Sequence, residues 1–90
     1  MIKQQVIHFH GTVHGVGFRF AACSMAAGYD ITGYVKNLPD GSVECVAEGE
    51  NSEIEKFVEE LSGRMSGYIR SIDKTTAPAN GNWTGFGVKY

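Results

Sequence analysis

Cysteine is nearly absent: Cys23 and Cys45 are the only two in 90 residues, and they are far apart. A disulfide framework needs more of them and a C-x-x-C metal or redox pair needs closer ones, so reduced thiols are expected. Proline occurs twice, and with no repeat or low-complexity run nothing marks a linker. Basic excess is missing too. Eight Lys plus Arg face ten Asp plus Glu, for a formal net charge of −2, which offers little to a phosphate backbone, and no nucleic-acid partner is expected. No apolar run approaches the roughly 18 to 20 residues needed to cross a bilayer. The opening residues include Lys3 but no apolar block with a small-residue cleavage site, so neither membrane nor signal peptide is expected. A cytoplasmic monomer is the expectation.

The sequence does have enough apolar residues, 42%, to exclude a disordered chain. Its length suits one domain, residues 1–90, of roughly 12 Å radius of gyration. A domain of this size buries only about 60 to 65% of the surface its unfolded chain exposes, so its core is thin.

Residues 5–13 alternate as a strand, with Ile7, Phe9 and Val13 on one face and His8 and His10 on the other. From Phe18 the period becomes helical: Phe18, Ala22, Met25, Ala26 and Tyr29 share a face, and Gly28 suits the end. Residues 31–36 and 42–48 read as two strands joined by a turn at 37–41 that holds Pro39 and Asp40-Gly41. In the later strand Val43, Cys45 and Ala47 face the core, while Glu44, Val46 and Glu48 face away. Ser52 and Glu55 have capping-box spacing before Ile54, Phe57, Val58 and Leu61, which form a second amphipathic helix. Residues 68–75 and 86–89 complete the strands. The order is βαββαβ plus a short terminal strand, the split βαβ pattern of an α+β, ferredoxin-like fold. Both helices would cover one face of an antiparallel sheet, and the other face would be more solvated.

The stretch Gly11 to Arg19, GTVHGVGFR, joins a strand to a helix through a loop with two glycines. Backbone N–H groups in such a turn form an anion-binding nest, and the helix start adds partial positive charge. Arg19 supplies a fork of donors suited to a phosphoryl group. A small phosphate or carboxylate is the expected ligand.

A second stretch, Gly33 to Glu44, reads GYVKNLPDGSVE. The two segments in this order, G-x-V-x-G-V-x-F-R and G-[aromatic]-V-x-N-x-x-D-G-x-V-E, resemble the acylphosphatase family, and the similarity extends over nearly the whole chain. The resemblance implies hydrolysis of a carboxyl-phosphate anhydride, with a small acyl phosphate as substrate and inorganic phosphate as product. It implies that Arg19 binds the phosphoryl oxygens, that the loop of His14, Gly15, Val16, Gly17 and Phe18 completes the cradle, and that Asn37 positions the attacking water. The residues agree with these roles, because an activated leaving group leaves mainly positioning and charge stabilisation to the protein. Neither metal nor other cofactor is called for. Lys36 beside Asn37 would add local positive charge, while the glutamates of the second helix lie elsewhere in the sequence.

His14 stands where the family usually has glutamine and Tyr34 where it often has tryptophan. A supporting role without proton transfer is expected for His14, and packing for Tyr34. His8 and His10 are expected to be surface or hydrogen-bonded residues, Cys45 a small buried hydrophobe, Cys23 a bystander, and Asp40 a turn residue. The alternative is a non-catalytic ferredoxin-like anion-binding or interaction module. RNA-recognition domains share the element order but need sheet aromatics and a basic face, which are missing here.

Overall fold

The computed structural model describes residues 2–90, with a radius of gyration of 11.8 Å. Its elements are β1 (Ile2–Gly11), α1 (Phe18–Ala26), β2 (Ile31–Asn37), β3 (Val43–Glu50), α2 (Asn51–Arg64), β4 (Ile69–Pro78) and β5 (Phe86–Val88). The sheet order is β4-β1-β3-β2-β5. The ferredoxin-like reading holds, with one difference: β5 pairs with β2 in parallel, so the sheet is mixed. No helix among the described residues is long and apolar enough to cross a membrane.

Period-2 alternation explains which face of the sheet is dry. Ile7, Phe9, Val35, Val43, Cys45 and Ala47 are all fully buried. Against them lie Phe18, Ala21, Ala22, Met25 and Ala26 of α1 and Ile54, Phe57, Val58 and Leu61 of α2. Phe57 is central, meeting Tyr29 and Phe86 edge-on at centroid distances of 6.3 and 5.5 Å. Truncating such a side chain to alanine costs about 3 to 5 kcal/mol, a large fraction of the stability a small domain has.

Two local expectations fail. The capping box does not form: α2 starts at Asn51 with Glu50 as its N-cap and no side-chain capping bond. Glu55 instead accepts from Gln5 Nε2 at 3.0 Å and Lys74 Nζ at 3.3 Å, so tertiary partners take the side chain that a local motif would have used. The helix-free face is also drier than expected, since Val46 and Glu48 are buried there. The chain must cross the whole sheet from β4 at one edge to β5 at the other. It does so over this face, where the Glu48 carboxylate accepts from Asn80 N at 2.8 Å, Gly81 N at 3.0 Å and Gln4 Nε2 at 2.9 Å. Trp83 packs on Tyr34 at 5.8 Å in the same crossing.

Candidate active site

β1 and β2 both run antiparallel to β3, which lies between them, and so their C-terminal ends emerge at the same end of the sheet. β1 delivers the glycine loop there, and β2 delivers Asn37. The two sequence motifs, 18 positions apart at Arg19 and Asn37, are thereby brought to one cleft of about 360 Å³.

The loop is shaped by Gly15 (φ 73°) and Gly17 (φ 78°), left-handed values that side chains other than glycine strongly disfavour. Apart from the adjacent residues in the chain, no atom of the described residues lies within 4 Å of where a Cβ would sit at either position, so glycine is required for conformation and the loop surface stays open. Gly17 is also the N-cap of α1. It brings no capping side chain, and no acidic residue occupies the first turn. The amides that open a helix have no acceptor within it, and together with the helix dipole they favour an anion. Arg19 projects from that first turn into the cleft, its guanidinium carbon 5.3 Å from the Tyr90 ring centroid.

Asn37 closes β2 and lines the same cleft. Its Oδ1 is shielded from bulk solvent and has no hydrogen-bond donor among the described residues. Buried polar atoms are nearly always satisfied, so the Asn37 amide keeps hydrogen-bonding capacity that the described residues do not use.

His14 is turned away from the cleft. Its Nε2 lies 2.8 Å from the backbone oxygen of Ser42, which also accepts from Leu38 N at 2.9 Å. A carbonyl oxygen only accepts, so Nε2 carries the proton. The histidine thus ties the glycine loop to the turn that follows Asn37. Asp40 braces that turn by accepting from both Ser42 N (2.9 Å) and Ser42 Oγ (2.6 Å), and these bonds hold its carboxyl below the usual range.

Of the residues singled out in the sequence, Gly15, Gly17, Phe18, Arg19 and Asn37 line one cleft. Val16 packs against the core and offers only backbone to the loop surface. Lys36 is not at the site: strand alternation turns it to the helix-free face, opposite Glu44. On that face Glu44 also binds Tyr34 Oη at 2.7 Å and His8 Nε2 at 3.1 Å. Burial alone would raise the Glu44 pKa, but these bonds outweigh it and the net shift is downward. Burial, followed by the Glu44 bond, pushes the Tyr34 phenol up to about 12. His10 pairs with Asp73 at 2.9 Å, so both strand histidines are engaged by carboxylates. Cys23 lines the cleft with its thiol pKa pushed up by burial, and Cys45 is wholly buried. Phe20, Val88 and Tyr90 also line the cleft and were not singled out in the sequence. The signal for Phe20 was its place beside Arg19 on the face opposite the apolar stripe.

Comparison with known proteins agrees with this fold. The acylphosphatase family model matches residues 5–88. An acylphosphatase of Lactobacillus gasseri is 40% identical over an alignment of 91 positions, covering 99% of this chain and 100% of that one. One from Nocardia farcinica is 42% identical over 78 residues, covering 86% and 78%. The crystal structure of acylphosphatase from Bacillus subtilis superposes with a TM-score of 0.88 at 30% identity and covers both chains completely. With the fold and nearly the full length in agreement, this chain belongs to the acylphosphatase family.

Proposed function

We propose that the cleft hydrolyses the carboxyl-phosphate bond of small acyl phosphates, with Arg19 and the 15–18 loop amides holding the phosphoryl group and Asn37 orienting the water. The observation that carries this reading is the Asn37 amide lining the same cleft as Arg19 and the uncapped start of α1. An anion site alone would need only the loop and Arg19. A neutral amide lining the cleft beside them adds donors and an acceptor that can orient a water next to the bound anion.

The water oxygen attacks phosphorus, the bond from phosphorus to the acyl oxygen breaks, and its electron pair leaves on the carboxylate. The water's proton ends on the inorganic phosphate. A carboxylate is already a good leaving group, so no protein nucleophile and no strong acid is required. The Arg19 fork and the helix-start amides meet charge spread over the phosphoryl oxygens. Asn37 is neutral and adds no repulsion to a dianion. His14 supports the arrangement through Ser42 instead of exchanging protons with substrate. In this reading the protein works as a cytoplasmic monomer on a small molecule, without nucleic acid and without a call on metal.

The test is phosphate release from benzoyl phosphate by the wild type and by Arg19→Ala. Removing a charged bidentate donor should raise KM and the inhibition constant for inorganic phosphate and lower kcat/KM by about a hundredfold or more. Wild-type turnover no faster than the buffer reaction, or full activity in Arg19→Ala, would sink the proposal.

A further inference from the structure

Among the described residues the exposed large apolar side chains are Ile2, Phe20, Tyr68, Val88 and Tyr90. Three of these five, Phe20, Val88 and Tyr90, line the one cleft that also holds Arg19 and Asn37. They arrive from different places in the chain: Phe20 from α1, Val88 from β5, and Tyr90 from beyond it. Scattered exposed apolar residues need no explanation, but a cluster around a polar site does.

Phe20 is the clearest member. It is 77% exposed, on the side of α1 away from the core stripe of Phe18, Ala21, Ala22 and Met25. Nothing in the packing of the domain demands an aromatic there, and its neighbour in sequence is the cradle arginine. The Tyr90 ring meanwhile stands by the Arg19 guanidinium, forming an aromatic wall above the charged group. The cleft is therefore cationic at its base and apolar at its rim. Its complement is an anionic head joined to a flat apolar body.

We propose that Phe20, with Val88 and Tyr90, selects the acyl group, so that the protein favours aromatic acyl phosphates over acetyl phosphate. This rests on the hydrolase reading above. With the phosphoryl group held by Arg19 and the loop, the acyl group is directed outward, and its contact with the rim decides how much apolar surface leaves water.

The quantity to measure is the ratio of kcat/KM for benzoyl phosphate to that for acetyl phosphate, in wild type, Phe20→Ala and Phe20→Leu. Intrinsic reactivity differs between the substrates, but it cancels when the ratio is compared across variants. Phe20→Ala should lower the ratio about tenfold, the effect of losing roughly 50 to 60 Å² of apolar contact. Phe20→Leu should lower it less, because apolar contact is partly kept. In parallel, calorimetry should show phenylphosphonate binding the wild type more tightly than methylphosphonate, and Phe20→Ala should erase most of that preference. An unchanged ratio in Phe20→Ala, or equal binding of the two phosphonates, overturns the proposal. A phenyl preference in a protein that hydrolyses neither substrate would overturn the hydrolase reading while upholding the apolar rim.

Discussion

On the proposed mechanism, replacing Asn37 with alanine should separate water placement from phosphate binding. The cradle of Arg19 and the loop amides owes nothing to the Asn37 side chain, whose Oδ1 contacts no donor of the protein. Inorganic phosphate should therefore inhibit Asn37→Ala about as well as the wild type, within roughly threefold. The attacking water loses its anchor. Losing one positioned hydrogen bond in a transition state costs about a hundredfold or more, or roughly 2.7 kcal/mol of barrier. That loss should appear almost wholly in kcat. Stability should not fall, because a buried acceptor without a protein donor contributes nothing favourable to the fold. Asn37→Asp keeps the acceptor but brings a negative charge to the anion site. Two unit charges roughly 5 Å apart repel by about 3 kcal/mol at an effective dielectric of 20, so this variant should lose phosphate affinity as well as turnover. Steady-state kinetics on benzoyl phosphate, phosphate inhibition and urea unfolding distinguish the cases. If Asn37→Ala weakens phosphate inhibition as much as it lowers kcat, or leaves kcat within a few fold of wild type, the assignment of Asn37 to the water is wrong.

His14→Gln should retain activity, since an amide can donate to the Ser42 oxygen as the Nε2 proton does at 2.8 Å. His14→Ala should lower kcat about tenfold, the worth of one such bond, and a loss above tenfold in His14→Gln would contradict the supporting role. Asp40 tests the turn through pH. Its folded pKa is depressed by the Ser42 bonds, so its stabilisation is present above the unfolded pKa of about 3.9 and is lost as pH falls through the folded value. Urea midpoints at pH 7 and pH 3 should fall further for the wild type than for Asp40→Asn, and identical falls would refute the bracing role.

Much of this fold was legible because period and element coincide. The α2 stripe of Ile54, Phe57, Val58 and Leu61 is buried as its spacing required, and the Ile7 and Phe9 face of β1 is dry. The site was legible only as two motifs whose meeting depends on topology: no spacing in the sequence says that β3 will lie between β1 and β2. What could not be read locally was decided by distant partners. Glu55 gave up its capping position because Gln5 and Lys74 reach it. Glu48 is buried on a nominally wet face because backbone amides 32 and 33 residues away donate to it. Lys36 misled because sequence adjacency to Asn37 means opposite faces in a strand. The apolar rim escaped notice because Phe20 carries only a position off the core stripe, and Val88 and Tyr90 reach the cleft through the pairing of β5 with β2.

The two helices show how the domain divides stability from function. Both lack a side-chain cap, but α2 has Glu53 in its first turn and Arg64 in its last, each matched to the helix dipole. The first and last turns of α1 carry no such charge, and its N-cap is a left-handed glycine. A favourable capping side chain would stabilise that helix by about 0.5 to 2 kcal/mol, and an acidic residue in its first turn would add to it. Either one would also occupy or repel the anion that the helix start attracts. Arg19 in that same turn is unfavourable to the dipole for the same electrostatic reason that makes it favourable to a phosphate. These costs can be met because the core contacts of Ile7 and Phe57 lie in the body of the sheet and under α2, away from the strand ends that form the cleft. On the proposed reading the unsatisfied helix start is part of the binding chemistry: a better-capped α1 would make a more stable domain and a poorer phosphate cradle.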